Sequence, residues 1–352
     1  MFKTFSDPYL QFAFDIGLAA AALTLILVSF IIYLRLTLKK SQYLEKAVVD
    51  VWRPILLLAI YSDKTPELPE LPASNHIFFL KLWNYLQESL RGMANERLNQ
   101  VALKLRCDVT VRALLKNGNR AERLLAILTL AHLRDRKSWA ALVLQTTTKD
   151  SLASIHAARA LIKIAPLEAT KLLLPMLLQR RDWDIAQLAN FLGEADRAFW
   201  LHLSKNILQI KKAHWTRALQ LADALHLHLP IQSVKYIIEH CDSTDTLVAA
   251  LHMDADASLL PIVRNCLKHT DWRVRAEAAG FIGRFGNADD GDALHLMLED
   301  PHWWVRHATA QALARMPFFG MTGLLELKAQ TSNDSAFAML DHVLAEYQVS
   351  QS

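Results

Sequence analysis

The sequence predicts an all-α protein: one apolar N-terminal helix, then a stack of helical hairpins. Four observations carry this. Residues 16–34 are nineteen in a row without a charge, bounded by Asp15 and Arg35. Glycine is scarce, ten in 352 residues, against a usual share of about 7%. No run alternates β-branched or aromatic residues with polar ones, as a half-buried strand would. Finally, a short motif returns at a step of about thirty residues, which is the mark of a repeat architecture.

The apolar run comes first in the chain. At about 1.5 Å of rise per residue it crosses most of a hydrocarbon core roughly 30 Å thick. A cleaved leader would put positive charge before a shorter run and a small-residue cleavage site after it. Here Lys3 faces Asp7 and Asp15 before the run, whereas Arg35, Lys39, Lys40 and Lys46 follow it. Residues 1–40 therefore read as an uncleaved transmembrane anchor that contacts the lipid bilayer through residues 16–34, with Tyr33 at an interfacial belt. The positive-inside rule places the N-terminus outside and the C-terminal body in the cytoplasm. Three widely spaced cysteines, Cys107, Cys241 and Cys266, agree with a reducing compartment.

Residues 41–118 read as a helical cap that joins anchor to repeats. YLEKAVVDVWRPILLLAIY is amphipathic and expected to break or kink near Pro54. Asp50 and Arg53 inside a short run argue against a second span and leave a helix on the lipid headgroups as the stronger membrane reading. Pro66, Pro69 and Pro72, three apart, favour extended polyproline II backbone. HIFFLKLWNYLQESL then begins a long aromatic-rich helix.

Residues 119–352 carry the repeats. DWRVRAEAAGFIGRFG (271–286) and DPHWWVRHATAQALARM (300–316) share an Asp, a Val-Arg, a small pair and an apolar residue seven after the Arg. Arg275 and Arg306 set the register. Stepping back places Thr246, Arg217, Ala186, Ser154 and Arg123 in register, and an eighth candidate at Arg91. Three residues beyond stand Ala126, Ala157, Ala189, Ala249 and Ala278, with Thr309 in the same column and Gln220 as the exception. A recurring small residue brings two helices close at each step, so several repeats together bury what one cannot.

D-x-x-V-R-x-x-A-A at 271–279, and its looser copy at 300–310, resembles the HEAT repeat. The resemblance implies a HEAT-like α-solenoid in which Asp271, Arg275, Asp300 and Arg306 form a structural ladder between repeats. The layout of one anchor, a WRP-containing helix and HEAT-like repeats is also similar to bacterial proteins that accompany polysaccharide-synthesising glycosyltransferases.

No catalytic constellation is found, so the reading is of a protein that is not an enzyme. Fourteen histidines include no H-E-x-x-H, and His226 and His228 would face different ways on a helix. His240, Cys241, Cys266 and His269 fit no zinc spacing, so no metal site is assigned. Asp254 and Asp256 read as an N-cap cluster. NADDGD (287–292) reads as a turn, since no glutamate closes a twelve-residue calcium loop. Gly280, Gly283 and Gly286 follow no strand and make no phosphate loop. No cofactor is expected.

The remaining surface signal is aromatic and basic. Trp272, Arg273, His302, Trp303 and Trp304 fall at the same edge of two successive repeats and are the candidate partner-binding residues, tryptophan and arginine being common at interface hot spots. The competing reading is that Trp272, like Trp183, fills the space between helices. The function expected is a membrane-anchored scaffold or adaptor for a protein partner, itself membrane-associated. Two alternatives stand beside it: a nucleic-acid-binding or repair protein, and a lyase or cofactor-attachment protein, both known among HEAT-like folds. A net charge of only +4 and scattered lysines and arginines argue against nucleic acid.

Overall fold

The computed structural model describes residues 8–61, 66–193, 196–253 and 256–351. Among them all regular secondary structure is helical, and there are two compact units, residues 1–145 and 146–352.

The first unit opens with α1 (Pro8–Tyr61), a single helix of 54 residues. Residues 14–40 are exposed throughout, and it is the one described helix long and apolar enough to cross a membrane. Its second half changes character. Val48, Trp52, Leu56 and Ala59 are buried, spaced as one helical stripe, against α2 (His76–Ser89) and α3 (Met93–Lys104). Trp52 meets Phe79 edge-on at 4.8 Å, and Arg97 donates to the Ile60 carbonyl at 2.7 Å near the helix end. The amphipathic face is thus spent on protein packing rather than on headgroups.

The helix is not broken at Pro54. A proline removes one backbone donor and crowds the preceding turn, yet Pro54 lies on the exposed face, where curvature can absorb it. Residues 66–72 have no regular structure, and Pro72 has φ −60°, ψ 147°, the polyproline II region. The aromatic helix α2 is short, fourteen residues, and ends before Gly92, whose φ is +69°. Arg91, the eighth register candidate, lies in that turn and not in a helix.

α4 (Cys107–Asn117) and α5 (Arg120–Leu133) pack as a hairpin. A capping box joins them: Asn119 accepts from the Glu122 amide while Glu122 accepts from the Asn119 amide. α6 (Trp139–Thr146) closes this unit, its last residue falling in the next.

The second unit holds α7 (Ser151–Ile164), α8 (Pro166–Gln179), α9 (Ile185–Leu192), α10 (Asp196–Asn206), α11 (Trp215–Ala224), α12 (Ile231–His240), α13 (Thr244–His252), α14 (Leu260–Cys266), α15 (Trp272–Phe285), α16 (Asp290–Met297), α17 (Trp303–Arg315), α18 (Gly320–Gln330) and α19 (Asp334–Gln351). Odd-numbered helices pack in series, α7 on α9 and so on to α19. The even-numbered helices form the second layer: α8 packs on α7, α12 on α13, α14 on α15, α16 on α17 and α18 on α17 and α19. This is a helical solenoid.

Burial gives the register of each repeat. In α15 the fully covered set is Val274, Ala278, Ala279, Phe281 and Ile282, and in α17 it is Val305, Thr309, Ala310, Ala312 and Leu313. α7 repeats the spacing with Ala153, Ala157, Ala158, Ala160 and Leu161. Three intervening helices are displaced from the sequence register. Ala250, Ala218 and Leu188 occupy the buried column, in place of Ala249, Gln220 and Ala189. The hairpin connections differ in length, so a fixed step drifts there while the buried face does not.

Candidate partner-binding edge

α15 and α17 both start with tryptophan, and each is preceded by a turn held by an Asp. Asp271 caps α15 by accepting from the Arg273 amide at 2.8 Å, and Asp300 accepts from the His302 amide at 2.8 Å. The chain then rises with its aromatic residues at the rim. The Trp272 and His302 rings stack at 4.0 Å with an interplanar angle of 6°. Trp303 and Trp304 are 41% and 54% exposed and meet edge-on at 4.7 Å.

A groove of about 420 Å³ runs between α15 and α17, lined by Trp272, Glu277, Gly280, Trp304, His307 and Arg315. A second, of about 330 Å³, lies on the neighbouring α11, α13 and α15 and includes Asp223, Asp245, His252 and Glu277. Glu277 lines both. His252 Nδ1 donates to Glu277 at 3.1 Å, and its Nε2 sits 4.0 Å from Asp223. The hydrogen bond to Glu277 raises its pKa, against the opposing effect of partial burial.

Arg273 is committed elsewhere. It pairs with Asp271 at 2.9 Å and with Asp245 at 2.7 Å, and both carboxylates hold its pKa up. Its charge is therefore balanced within the repeats, whereas the tryptophans are open. Trp183 is unlike Trp272 in spite of the shared Asp-Trp: it is fully buried and donates to Ser154 Oγ at 3.0 Å, while Trp272 is half-exposed.

The four ladder candidates pair in a staggered way. Arg275 is bidentate on Asp300 of the next repeat, with contacts of 2.7 and 2.8 Å, and also donates to the His269 and Thr270 carbonyls. Arg306 donates to the Asp300 and Pro301 carbonyls instead, with its Nε buried and unpartnered. Asp271 is taken by Arg273. A second ion pair, Arg264 with the buried Asp290 at 2.6 Å, ties α14 to α16. That pair uses the NADDGD segment, where Asp290 also accepts from the Asn287 amide.

Burial pushes the Cys107 thiol up to about 12 and the Cys266 thiol up to about 11, which makes both poor nucleophiles. Cys266 and Cys241 donate to the Ile262 and Ile238 carbonyls, and His269 accepts from the Asp271 amide. His226 and His228 lie in the connection after α11, not on a helix. Asp256 accepts from the Ser258 amide as an N-cap, and Asp254 lies outside the described residues.

One cluster was not singled out in the sequence. His307 on α17 meets His342 and Glu346 on α19, with ligand-capable atoms within 4.8 Å of one another. The signal was present as a histidine and a glutamate four apart, His342 and Glu346, but its third member comes from another helix.

The HEAT repeat family matches residues 239–314, which takes in α13 to α16 and most of α17. No curated protein matches the chain. Residues 239–314 are therefore similar to HEAT repeats, within a solenoid of stacked hairpins, and HEAT repeats generally mediate protein–protein contacts.

Proposed function

We propose that this protein is a membrane-tethered scaffold that holds a protein partner at the cytoplasmic face of the bilayer. The observation that carries the reading is the exposed pair Trp303 and Trp304 at the start of α17, with Trp304 lining the α15–α17 groove and Trp303 beside it. Large, partly exposed aromatic rings are the usual anchors of interface hot spots, and Trp303 and Trp304 each keep about half of their surface open to water.

Residues 16–34 of α1 act as the tether. They are apolar on all sides and unburied, as a helix surrounded by lipid requires. Charge asymmetry about the span supports a cytoplasmic body. The second half of α1 continues directly into the first unit, so that unit is held close to the bilayer. A membrane enzyme of polysaccharide synthesis is the partner class suggested by the layout.

The test is crosslinking and capture from native membranes with the full-length protein. Wild type recovers a specific protein, Trp303→Ala/Trp304→Ala loses it, and Leu296→Ala, a more exposed apolar residue on the other layer, retains it. Recovery that is indifferent to the double substitution would contradict the proposed edge; nucleic acid or a bound pigment recovered in place of protein would contradict the scaffold reading.

A further inference from the structure

The side chains of His307, His342 and Glu346 come together at the C-terminal end of the solenoid. Glu346 receives one imidazole on each oxygen: His342 Nε2 lies 3.2 Å from Oε1 and His307 Nε2 lies 3.4 Å from Oε2. His342 and Glu346 stand four apart on α19, and so project from one face of that helix. His307 comes across from α17, which packs against α19.

These separations suit a metal ion as well as they suit an ion pair. Ligand atoms about 2.0–2.1 Å from a tetrahedral zinc stand about 3.3 Å from one another. His342 Nε2 and His307 Nε2 lie 3.2 and 3.5 Å from the same carboxylate oxygen, Glu346 Oε1, and the ligand atoms of the three residues all lie within 4.8 Å of one another. His307 is the more buried imidazole, and its orientation is set from behind: Trp303 stacks on it at 4.9 Å with the ring planes 11° apart. Gln311 lies 3.5 Å from both His307 Nε2 and Glu346 Oε2, close enough to orient the carboxylate. His342 and Glu346 are half-exposed, which leaves an entry path and room for water to complete the coordination.

We propose that His307, His342 and Glu346 form a binding site for a divalent transition-metal ion of the zinc class, held by two imidazole nitrogens and one carboxylate, which fastens the last helix to α17. Two nitrogens and one oxygen favour zinc, nickel and copper over magnesium or calcium, which take oxygen ligands. The ion would tie the terminal hairpin to the helix that carries Trp303 and Trp304. The site does not depend on the partner-binding reading.

Zn²⁺ itself is the probe. Full-length protein without an affinity tag, in detergent micelles and stripped by chelator, is titrated calorimetrically. One Zn²⁺ binds per chain, and His342→Ala or Glu346→Gln each weakens binding at least tenfold. Both positions are half-exposed, so the metal-free variants melt at the wild-type temperature; Zn²⁺ raises the melting temperature of wild type and not of His342→Ala. Co²⁺ gives visible absorption of a tetrahedral site in wild type, and that band is lost in His307→Ala/His342→Ala. Absence of stoichiometric Zn²⁺ binding would overturn the proposal. So would binding unchanged in His342→Ala and Glu346→Gln, which would place the ion at other histidines.

Discussion

Arg275 reaches from one repeat to Asp300 of the next, and the two side chains are only 14% and 7% exposed. The pair is bidentate, and the guanidinium also satisfies two carbonyls at the end of the preceding connection. Burial pushes the Asp300 carboxyl up, but Arg275 and the His302 amide more than offset this, so its pKa lies below the ordinary value. One carboxylate thereby holds a neighbouring repeat and closes the turn that leads into its own helix.

Removing that carboxylate strands a covered cation. Asp300→Ala is expected to destabilise the second unit by about 2–4 kcal/mol in denaturant unfolding. Asp245→Ala, which releases only the exposed side of Arg273, leaves stability unchanged within error. The pH sign follows from the depressed pKa. The contribution is present above the ordinary carboxylate range, near 4, and is lost as pH falls through the lower folded value. The wild-type stability advantage over Asp300→Ala therefore shrinks under acid.

Gly283 marks the closest approach of α15 to α17. A Cβ built there would stand 2.5 Å from both Cα and Cβ of Ala312, so the two helices would have to part. Gly283→Ala is expected to lose about 1–3 kcal/mol through overpacking, despite alanine's better helix propensity. Gly280→Ala meets nothing within 4 Å and should be neutral or slightly stabilising in the same thermal melts.

His252 titrates above an ordinary imidazole because Glu277 accepts from it, with Asp223 adding to the effect. Its raised pKa means that its stabilising contact is complete below about pH 6.5, the unperturbed value, and disappears as pH rises through the folded pKa. NMR of the imidazole should show a midpoint that drops in Glu277→Gln. An unchanged midpoint would rule out that contact.

The anchor is tested by charge. Arginine at the centre of a span costs about 2.5–3.5 kcal/mol, so Leu25→Arg/Val28→Arg opposes insertion twice over. Wild type should stay in the membrane pellet through alkaline carbonate extraction, and the double variant should move to the soluble fraction. Extraction of wild type would show that α1 is no span.

Much of this was legible in the residues. The Val-Arg and small-pair motif at Arg275 and Arg306 marks helices whose buried faces match position for position. Register was lost at Thr246, Arg217 and Ala186 because only burial, not residue type, distinguishes neighbouring alanines and leucines on a helix. Pro54 was misleading for a related reason: a proline ends a helix only where nothing outside the ladder holds it, and here α2 and α3 hold the far side. The His307, His342 and Glu346 cluster was hidden because its members belong to two helices brought together by packing. Arg273, expected at the partner-binding edge, also pairs with Asp245 of the previous repeat, a neighbour that sequence spacing alone does not place beside it.

The central claim is that the aromatic edge of α17 touches a protein partner in the membrane-bound state. A photo-crosslinking amino acid placed at Trp304 in the full-length protein, activated in intact cells, tests it most directly. The account predicts a discrete crosslinked protein from position 304 and none from position 296 on the opposite layer. Equal labelling at both positions, or none at 304, would contradict it.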